Sequence, residues 1–318
     1  MSKSKILPFI FLCSVLLNVG LFFVFFHNRT SPLNQSSSQS LSDKYPYLAR
    51  RALLDNPSDF LINFFDLRTE LQCQTASYGD KFAFYFQYLP TGTSIGVNGS
   101  EQFHAASLFK LPVIMAYYHY LERTGGSDSQ MATVMPADID KQFGDLYKKG
   151  PGYKLPMSEA VRLAIEDSDN TAAKVIADQV QQQDFDAVYQ GLDITLDTDK
   201  NGAIITAKNY SSILQALYFS AVINRDDSEK LLDLMTKTKF SDKLAAGIPT
   251  DIPVAHKIGD FNDFKGNTAF TDCGIVYLPK RAYMLCMLSI GDQQTAIDRM
   301  SSVSRVIYKY LTSAQTSN

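Results

Sequence analysis

The sequence predicts an α+β fold of two lobes, preceded by an N-terminal transmembrane helix. Three observations predict it: an uncharged apolar run near the N-terminus, strand-like segments at both ends of the remaining chain, and segments of helical periodicity between and outside them. Strands from the two ends can pair in one antiparallel sheet of about five strands, flanked by the terminal helices. The central helices then form an all-helical lobe, and a cleft between two lobes is a natural place for a ligand.

The apolar run covers residues 8–26 and reads PFIFLCSVLLNVGLFFVFF, which is 19 residues without a charge. That length is about enough to cross roughly 30 Å of hydrocarbon as a helix. Lys3 and Lys5 precede the run and no acid does, so the chain that follows is expected outside the cytoplasm. A cleavable signal peptide has a shorter apolar core and a small-x-small site, which are missing here. We therefore expect residues 1–27 to be an uncleaved signal-anchor.

A linker and a single folded part are predicted after the anchor. Residues 28–45 contain six Ser and few side chains able to pack, which predicts a flexible tether. In the folded part, residues 46–318, the predicted helices are 47–72 (interrupted by NPSD), 106–121, 158–181, 207–222, 228–238 and 296–311. The predicted strands are KFAFYFQYLP and SIGVNGS, joined by the turn TGT, and then PVAHKIGDF, TAFTDCGIVYLP and AYMLCMLSI. Residues 184–200 are predicted as a loop, and Thr206 as the N-cap of the helix that follows.

Composition excludes some classes of function. The formal net charge is −3, so nothing in the chain looks built to bind polyphosphate, and nucleic acid is not an expected partner. Four His residues are scattered singly, without HExxH or CxxC spacing, so we expect neither a metal nor another cofactor. Cys273 and Cys286 fall on successive predicted strands. They are either small buried side chains or a disulfide, and the sequence leaves this open.

The first motif is Ser107-Leu-Phe-Lys110, at the start of a predicted helix. A spacing of three places both side chains on one helix face, one turn apart. A serine hydroxyl becomes a good nucleophile when a base takes its proton, and a lysine is that base where burial or another cation lowers its pKa. The helix N-terminus adds N–H groups that attract a developing oxyanion. SxxK alone is a weak signal, because Ser2 and Lys5 repeat it.

The second motif is Ser168-Asp169-Asn170, within the helical pattern AVRLAIEDSDNTAAKVIA. One interpretation is an N-cap or a turn. The functional interpretation is that the second hydroxyl relays a proton to a leaving nitrogen, while the amide binds the amide of a substrate. Ser, Asp and Asn all disfavour the interior of a helix. Residues that do not suit their predicted secondary structure often lie at functional sites, so the functional interpretation is favoured.

The third motif is Lys257-Ile258-Gly259, on a predicted strand. The lysine supplies a cation for a substrate carboxylate, and the glycine lets a substrate backbone lie against the strand edge. The KxG pattern also occurs at residues 148–150 and 200–202. Neither of those segments is a predicted strand, so the third motif is the one that fits.

Together the motifs match the SxxK, SDN and KTG set, and residues 46–315 resemble a class A β-lactamase and its penicillin-binding relatives. The motifs follow the order of that family, with 61 residues from Ser107 to Ser168 and 89 from Ser168 to Lys257. The resemblance implies that Ser107 is acylated, that Lys110 is its base or proton carrier, and that Ser168 delivers a proton to the leaving nitrogen.

The resemblance also implies how a substrate is bound. Asn170 would hold the substrate amide, and Lys257, next to Gly259, would hold its carboxylate. The oxyanion would lie between the backbone N–H groups of Ser107 and Asp260.

Two departures from the family pattern limit the expected activity. The segment between the second motif and the next helix has no Glu and no ExxLN, and its late carboxylates are Asp193, Asp197 and Asp199. Without a base for water, an acyl-enzyme should be long-lived. The third motif has Ile258 in place of Thr or Ser, which removes a hydroxyl contact to a substrate carboxylate. Glu166 is expected to point away from Ser168 on a helix, so we interpret it as a surface or interface charge.

The sequence therefore predicts a serine acyl-transfer hydrolase that acts on a β-lactam or a D-alanyl-peptide-like amide. The alternatives are a penicillin-binding peptidase or slow-deacylating homologue, and a non-catalytic protein that binds cell-wall fragments. The expected partners are a small-molecule or peptidoglycan-like substrate and, through the N-terminal helix, the membrane. We expect a monomer with its catalytic domain outside the cytoplasm, in a bacterial cell envelope.

Overall fold

A computed structural model describes residues 64–194, 197–199, 202–262 and 268–313. Its helices are α1 (Phe65–Thr75), α2 (Lys110–Thr124), α3 (Met157–Glu166), α4 (Asn170–Ala177), α5 (Gln182–Gln190), α6 (Ala207–Tyr218), α7 (Arg225–Thr236) and α8 (Gln293–Ser313). Its strands are β1 (Phe82–Tyr88), β2 (Ser94–Val97), β3 (Phe103–His104), β4 (Met131–Thr133), β5 (Lys154–Pro156), β6 (Asp197–Asp199), β7 (Gly202–Ile205), β8 (Val254–Asn262), β9 (Thr268–Val276) and β10 (Tyr283–Ile290).

The predicted antiparallel sheet of about five strands is confirmed, with the strand order β2-β1-β10-β9-β8. Strands from both ends of the chain therefore meet in one sheet, and β8, which carries the third motif, lies at its edge. The register places Lys257 opposite Cys273, and Cys273 opposite Cys286. These two cysteines form a disulfide between β9 and β10, which settles the alternative that the sequence left open.

Both faces of the sheet are covered, because successive side chains of a strand point to opposite faces. Along β1, Phe82, Phe84 and Phe86 pack in one core with residues of α1 and α8. Ala83 on β1 and Cys286 on β10 belong to the other core, which the sheet shares with the helical lobe. Burying a side chain such as Phe contributes about 1.5–3 kcal/mol, so the aromatic alternation of β1 fixes which face receives the terminal helices.

The predicted helix over residues 158–181 is wrong, because the chain breaks into α3 and α4. Ser168 lies between the two helices in the left-handed region, with φ 54°. Asp169 is the N-cap of α4, and its side chain accepts a hydrogen bond from the backbone N–H of Ala172 at 2.8 Å. This cap starts a new helix and places Ser168 and Asp169, both buried, at a corner of the backbone, which apolar periodicity alone does not show.

The predicted loop over residues 184–200 is also wrong in part, because it contains most of α5 and all of β6. Val188 and Tyr189 on α5 are buried in the core of the helical lobe. Asp184 is wholly buried and accepts hydrogen bonds from the Arg123 guanidinium at 2.8 and 2.9 Å. His119 Nδ1 lies 2.9 Å from the same carboxylate. This ion pair holds α5 against α2. The acidic residues of this segment alone do not predict such a long-range contact.

The predicted signal-anchor and linker, residues 1–27 and 28–45, lie outside the described residues. Within the described ranges, no helix combines the length and the apolar character that a membrane crossing requires. Both boundaries therefore stay predictions from the sequence.

The Asp184 ion pair makes a first prediction. Replacing Asp184 by Ala leaves Arg123 without its carboxylate, and hydrogen bonds to charged groups contribute about 1.5–3 kcal/mol. We expect Asp184→Ala to lower the free energy of unfolding, measured in urea, by about 2 kcal/mol. The control is Asp186→Ala on the same helix, whose exposed carboxylate bonds only to Gln182 among the described contacts. Equal stability of the two variants would contradict the assignment.

Candidate active site

The first two motifs and the residues that directly follow the third meet at a cavity of about 550 Å³ between the end of β8 and the helical lobe. The polar residues that line it come from four segments of the chain: Ser107, Lys110, Asp140, Gln142, Asn170, Lys174, Asp260 and Asn262. Apolar residues on α2 and α4 complete the wall: Val113, Ala173 and Ala177, together with Phe109, Phe261 and Ala106. A concave site with a few convergent polar groups is the usual form of a small-molecule site.

Ser107 lies in a 3-10 turn, Ala106–Phe109, that leads directly into α2. The residue before it, Ala106, has φ 46°, and a left-handed conformation costs a residue with a Cβ roughly 1–2 kcal/mol. The turn packs on β8 so closely that a Cβ added to Gly259 would lie 3.1 Å from Ser107 N and 2.9 Å from Ala105 O. The glycine of the third motif thus allows the strand to approach the serine.

Lys110 is the centre of the polar cluster. Its Nζ donates to Ser107 Oγ at 2.9 Å, to Ser168 Oγ at 3.1 Å and to Asn170 Oδ1 at 2.7 Å. The backbone oxygen of Ser168 is a fourth acceptor beside Nζ, so the three N–H groups of the ammonium are shared among four oxygens. The structure therefore brings Ser107 of the first motif, together with Ser168 and Asn170 of the second motif, to the Lys110 ammonium group.

Burial lowers the pKa of the Lys110 ammonium from 10.5 to about 7, although the nearby Asp169 and Asp140 carboxylates act in the opposite direction. A lysine with such a pKa is partly neutral at physiological pH. A neutral amine has a lone pair, so it can accept the proton of a hydroxyl 2.9 Å away.

Lys257 and Ser168 lie behind Lys110 and do not line the cavity. Lys257 is wholly buried, and its Nζ donates to Ser168 Oγ at 2.7 Å. Burial, together with the charge of Lys110, holds the pKa of the Lys257 ammonium well below its usual range. The Ser168 hydroxyl is thus in contact with both lysines, an arrangement that suits a group that passes a proton.

The loop of residues 140–146 closes over the second motif, and the sequence analysis missed it. Asp169 Oδ2 accepts hydrogen bonds from the backbone N–H groups of residues 145 and 146, at 2.7 and 2.8 Å. Asp140 Oδ1 accepts from Asn170 Nδ2 at 3.1 Å, and Lys174 Nζ lies 3.1 Å from Asp140 Oδ2. No pattern in the sequence marks Asp140, because its place in the site depends on how this loop closes.

Lys243 is a further residue that sequence reasoning missed. Its side chain is buried just before β8, and its Nζ lies 3.6 Å from Asp260 Oδ1. Burial raises the pKa of the Asp260 carboxyl. The two carboxylates that line the cavity, at 140 and 260, each lie near a lysine.

Other residues singled out in the sequence lie elsewhere. Glu166 bonds to Arg162 at 2.8 Å, as a charge of the helical lobe. Asp193 is exposed, and Asp197 accepts from Gln102 at 2.9 Å.

The fold and this cluster of two serines and two lysines define a β-lactamase-like serine hydrolase. Residues 66–311 match the model of the β-lactamase enzyme family, and the chain belongs to that family. A comparison with curated protein sequences finds no match.

Among solved structures, PBP-A aligns with a TM-score of 0.71 at 23% identity, over 79% of this chain and 97% of PBP-A. A β-lactamase from Chitinophaga pinensis aligns with a TM-score of 0.70 at 18% identity, over 77% of this chain and 99% of that one. The TLA-3 extended-spectrum β-lactamase aligns with a TM-score of 0.71 at 17% identity, over 77% of this chain and 98% of that one. A mutant of PBP-A is described as an acyl-enzyme complex with penicillin G. At these identities the likeness shows the fold.

The second prediction concerns the contact between Gly259 and the turn Ala106–Phe109. The Cβ of Gly259→Ala would meet Thr271 Oγ1 at 2.6 Å and Ala105 O at 2.9 Å, so the strand and the turn must separate. Overpacking of this kind costs about 1–3 kcal/mol, and we expect that loss in urea unfolding. The control is Gly96→Ala on β2, where the nearest atom lies 3.5 Å away. If Gly259→Ala is as stable as the control, the close approach described here is wrong.

Proposed function

We propose that the protein is a serine acyl-transfer hydrolase that forms an acyl-enzyme at Ser107 with a β-lactam or a D-alanyl-peptide-like amide. One observation carries the proposal: Lys110 Nζ, with a pKa lowered to about 7, lies 2.9 Å from Ser107 Oγ in the wall of the cavity. The acyl-enzyme of the PBP-A mutant with penicillin G supports it by analogy of fold.

In the proposed reaction, neutral Lys110 takes the proton of Ser107 as the serine oxygen attacks the carbonyl carbon of the substrate amide. The oxyanion of the tetrahedral intermediate is stabilised by the backbone N–H groups of Ser107 and Asp260. The C–N bond then breaks, and the leaving nitrogen receives a proton from Ser168 Oγ. Ser168 regains a proton from Lys110, whose Nζ is 3.1 Å away, so the proton taken from the nucleophile ends on the leaving group.

The substrate-binding roles form part of the proposal. Asn170, in the wall of the cavity, would bind the substrate amide. Lys257 would attract the substrate carboxylate from behind Ser168, to which its Nζ donates at 2.7 Å, and Gly259 would let the substrate lie beside β8. Lys257 is wholly buried, so it does not touch the substrate. We propose that its positive charge acts on the substrate carboxylate across the Ser168 hydroxyl.

We propose that deacylation is slow, as in a penicillin-binding peptidase or a slow-deacylating homologue. Hydrolysis of the acyl-enzyme needs a base that activates water. The carboxylates among the described residues of the cavity wall are Asp140 and Asp260, and each lies near a lysine. The described acids of the segment 182–206 do not line the cavity.

The cellular setting is likewise proposed from the sequence. The uncharged run at 8–26, with lysines before it, would anchor the chain in the membrane and leave the catalytic domain outside the cytoplasm. Cell-wall peptides of a bacterial envelope would then be within reach of the site.

The central test of this proposal is covalent labelling. A fluorescent penicillin should label the wild-type protein at Ser107, and the label should survive a denaturing gel. Ser107→Ala should abolish it, whereas Ser212→Ala, at a partly exposed serine on α6 that does not line the cavity, should not. Hydrolysis of a chromogenic cephalosporin should be far slower than acylation, because the carboxylates among the described residues of the cavity wall are each held near a lysine. Turnover at tens per second would contradict slow deacylation, and no labelling would contradict the proposed reaction.

The lowered pKa of Lys110 makes a prediction about pH. Only the neutral amine accepts the proton of Ser107, so the acylation rate should rise with pH and reach half its plateau near pH 7. Below that pH the ammonium form predominates and the rate should fall about tenfold per unit. The profile is measured as the second-order rate of labelling between pH 5 and 9. Lys110→Ala should lower the plateau by about 10²–10⁴-fold, and a flat wild-type profile would exclude Lys110 as the base.

A further inference from the structure

The Asn170 side chain is bonded at both of its polar ends. Its Oδ1 accepts from Lys110 Nζ at 2.7 Å, and its Nδ2 donates to Asp140 Oδ1 at 3.1 Å. The oxygen and the nitrogen of an amide exchange places when the group turns by half a revolution, so these partners decide which end faces which group. A turned amide would place its oxygen against the Asp140 carboxylate, which is repulsive.

Asp140 is itself held firmly against α4. Its backbone N–H donates to Thr171 Oγ1 at 3.0 Å, and its backbone oxygen accepts from the same hydroxyl at 3.1 Å. Its Oδ1 also accepts from the backbone N–H of Gln142 at 3.0 Å, and Lys174 Nζ lies 3.1 Å from its Oδ2. The carboxylate that faces Asn170 therefore has a fixed position.

This matters most when Lys110 is neutral, the form that the reaction uses. An ammonium group can only donate, so by itself it selects the oxygen of Asn170. A neutral amine can also accept, and a turned Asn170 could then donate an N–H to the lone pair that must receive the proton of Ser107. Asp140 opposes that turn in both protonation states.

We propose that Asp140 is a positioning residue, which holds the Asn170 amide with its oxygen toward Lys110 and so keeps the lone pair of neutral Lys110 available to Ser107. The proposal rests on the acyl transfer at Ser107 proposed above. It assigns a role in the reaction to a residue that lies outside all three sequence motifs.

The charge of Asp140 has a second effect on the same lysine. The charged and titratable groups that influence Lys110 are Asp169 and Asp140, which raise its pKa, and the neighbouring Lys257. The hydroxyls of Ser107 and Ser168 complete its surroundings. Removal of the Asp140 charge should therefore move the acid limb of the acylation profile to lower pH, whatever happens to the plateau.

The two effects are separated by two substitutions at Asp140. Asp140→Ala removes both the acceptor and the charge, so the plateau rate of labelling by a fluorescent penicillin should fall about tenfold or more. Asp140→Asn keeps an acceptor oxygen for Asn170 and should restore most of the plateau. In both variants the acid limb should lie at lower pH than in the wild type. The control is Asp145→Asn in the same loop, whose 80% exposed side chain pairs with Lys148; it should leave rate and profile unchanged.

A double mutant tests whether Asp140 acts through Asn170. In an Asn170→Ala background, Asp140→Ala should cause no further loss of plateau rate, because no amide remains to be oriented. Losses that multiply would overturn the proposal, as would a plateau for Asp140→Ala equal to that of the wild type. If Asp140→Ala does not fold, Asp140→Leu, which keeps the branch at Cγ without an acceptor, replaces it in every arm.

A second reagent distinguishes a failure of the proposed function from a failure of the role of Asp140. If the wild type is not labelled by the penicillin, the same rates are measured with a fluorophosphonate, which reacts with an activated serine hydroxyl without recognising a β-lactam. A chain that reacts with neither reagent would contradict acyl transfer at Ser107 and the role of Asp140 with it. A reactive wild type with an unchanged Asp140→Ala would contradict only the role of Asp140.

Discussion

The Lys110 side chain joins the separate segments that make the site. Its nitrogen, buried at the start of α2, contacts the hydroxyls of Ser107 and Ser168 and the amide of Asn170. A buried amine without hydrogen-bond partners costs several kcal/mol, so the corner between α3 and α4 has to close on α2. The contacts that satisfy the amine are also those that place it beside the serine. Stability of the helical lobe and the proposed reactivity of Ser107 thus depend on one cluster.

The sheet holds the other side of this cluster in place. Lys257 reaches Ser168 from β8, and a chain of hydrogen bonds behind that strand fixes its position. Asp272 on β9 contacts His256 Nδ1 at 2.8 Å and accepts the backbone N–H of Leu244 at 2.9 Å. The backbone oxygen of Leu244 accepts from Ser304 on α8 at 2.7 Å. The C-terminal helix therefore supports the edge strand from which Lys257 extends.

Acylation and hydrolysis make different demands on such a site. Acylation needs a base beside the serine, and in the proposed reaction Lys110 is that base. Hydrolysis needs a second base that can hold water against the acyl carbon. The carboxylates among the described residues of the cavity wall lie near lysines instead. Asp140 is bonded to Asn170 and Lys174, which suits a residue that orients its neighbours. The proposed function therefore combines membership of the β-lactamase enzyme family with a long-lived acyl-enzyme.

The strands of the main sheet, the helix after Thr206 and the three motifs could be predicted from the amino-acid sequence, because periodicity, capping and side-chain chemistry are properties of near neighbours. The break at Ser168, the helix α5, the burial of Lys257 and the place of Asp140 are seen only in the folded protein. Each of these depends on partners far along the chain: 58 residues separate Lys110 from Ser168, and 30 separate Asp140 from Asn170. Whether such groups meet is set by how loops close and which charges can be buried together, and no local pattern records that.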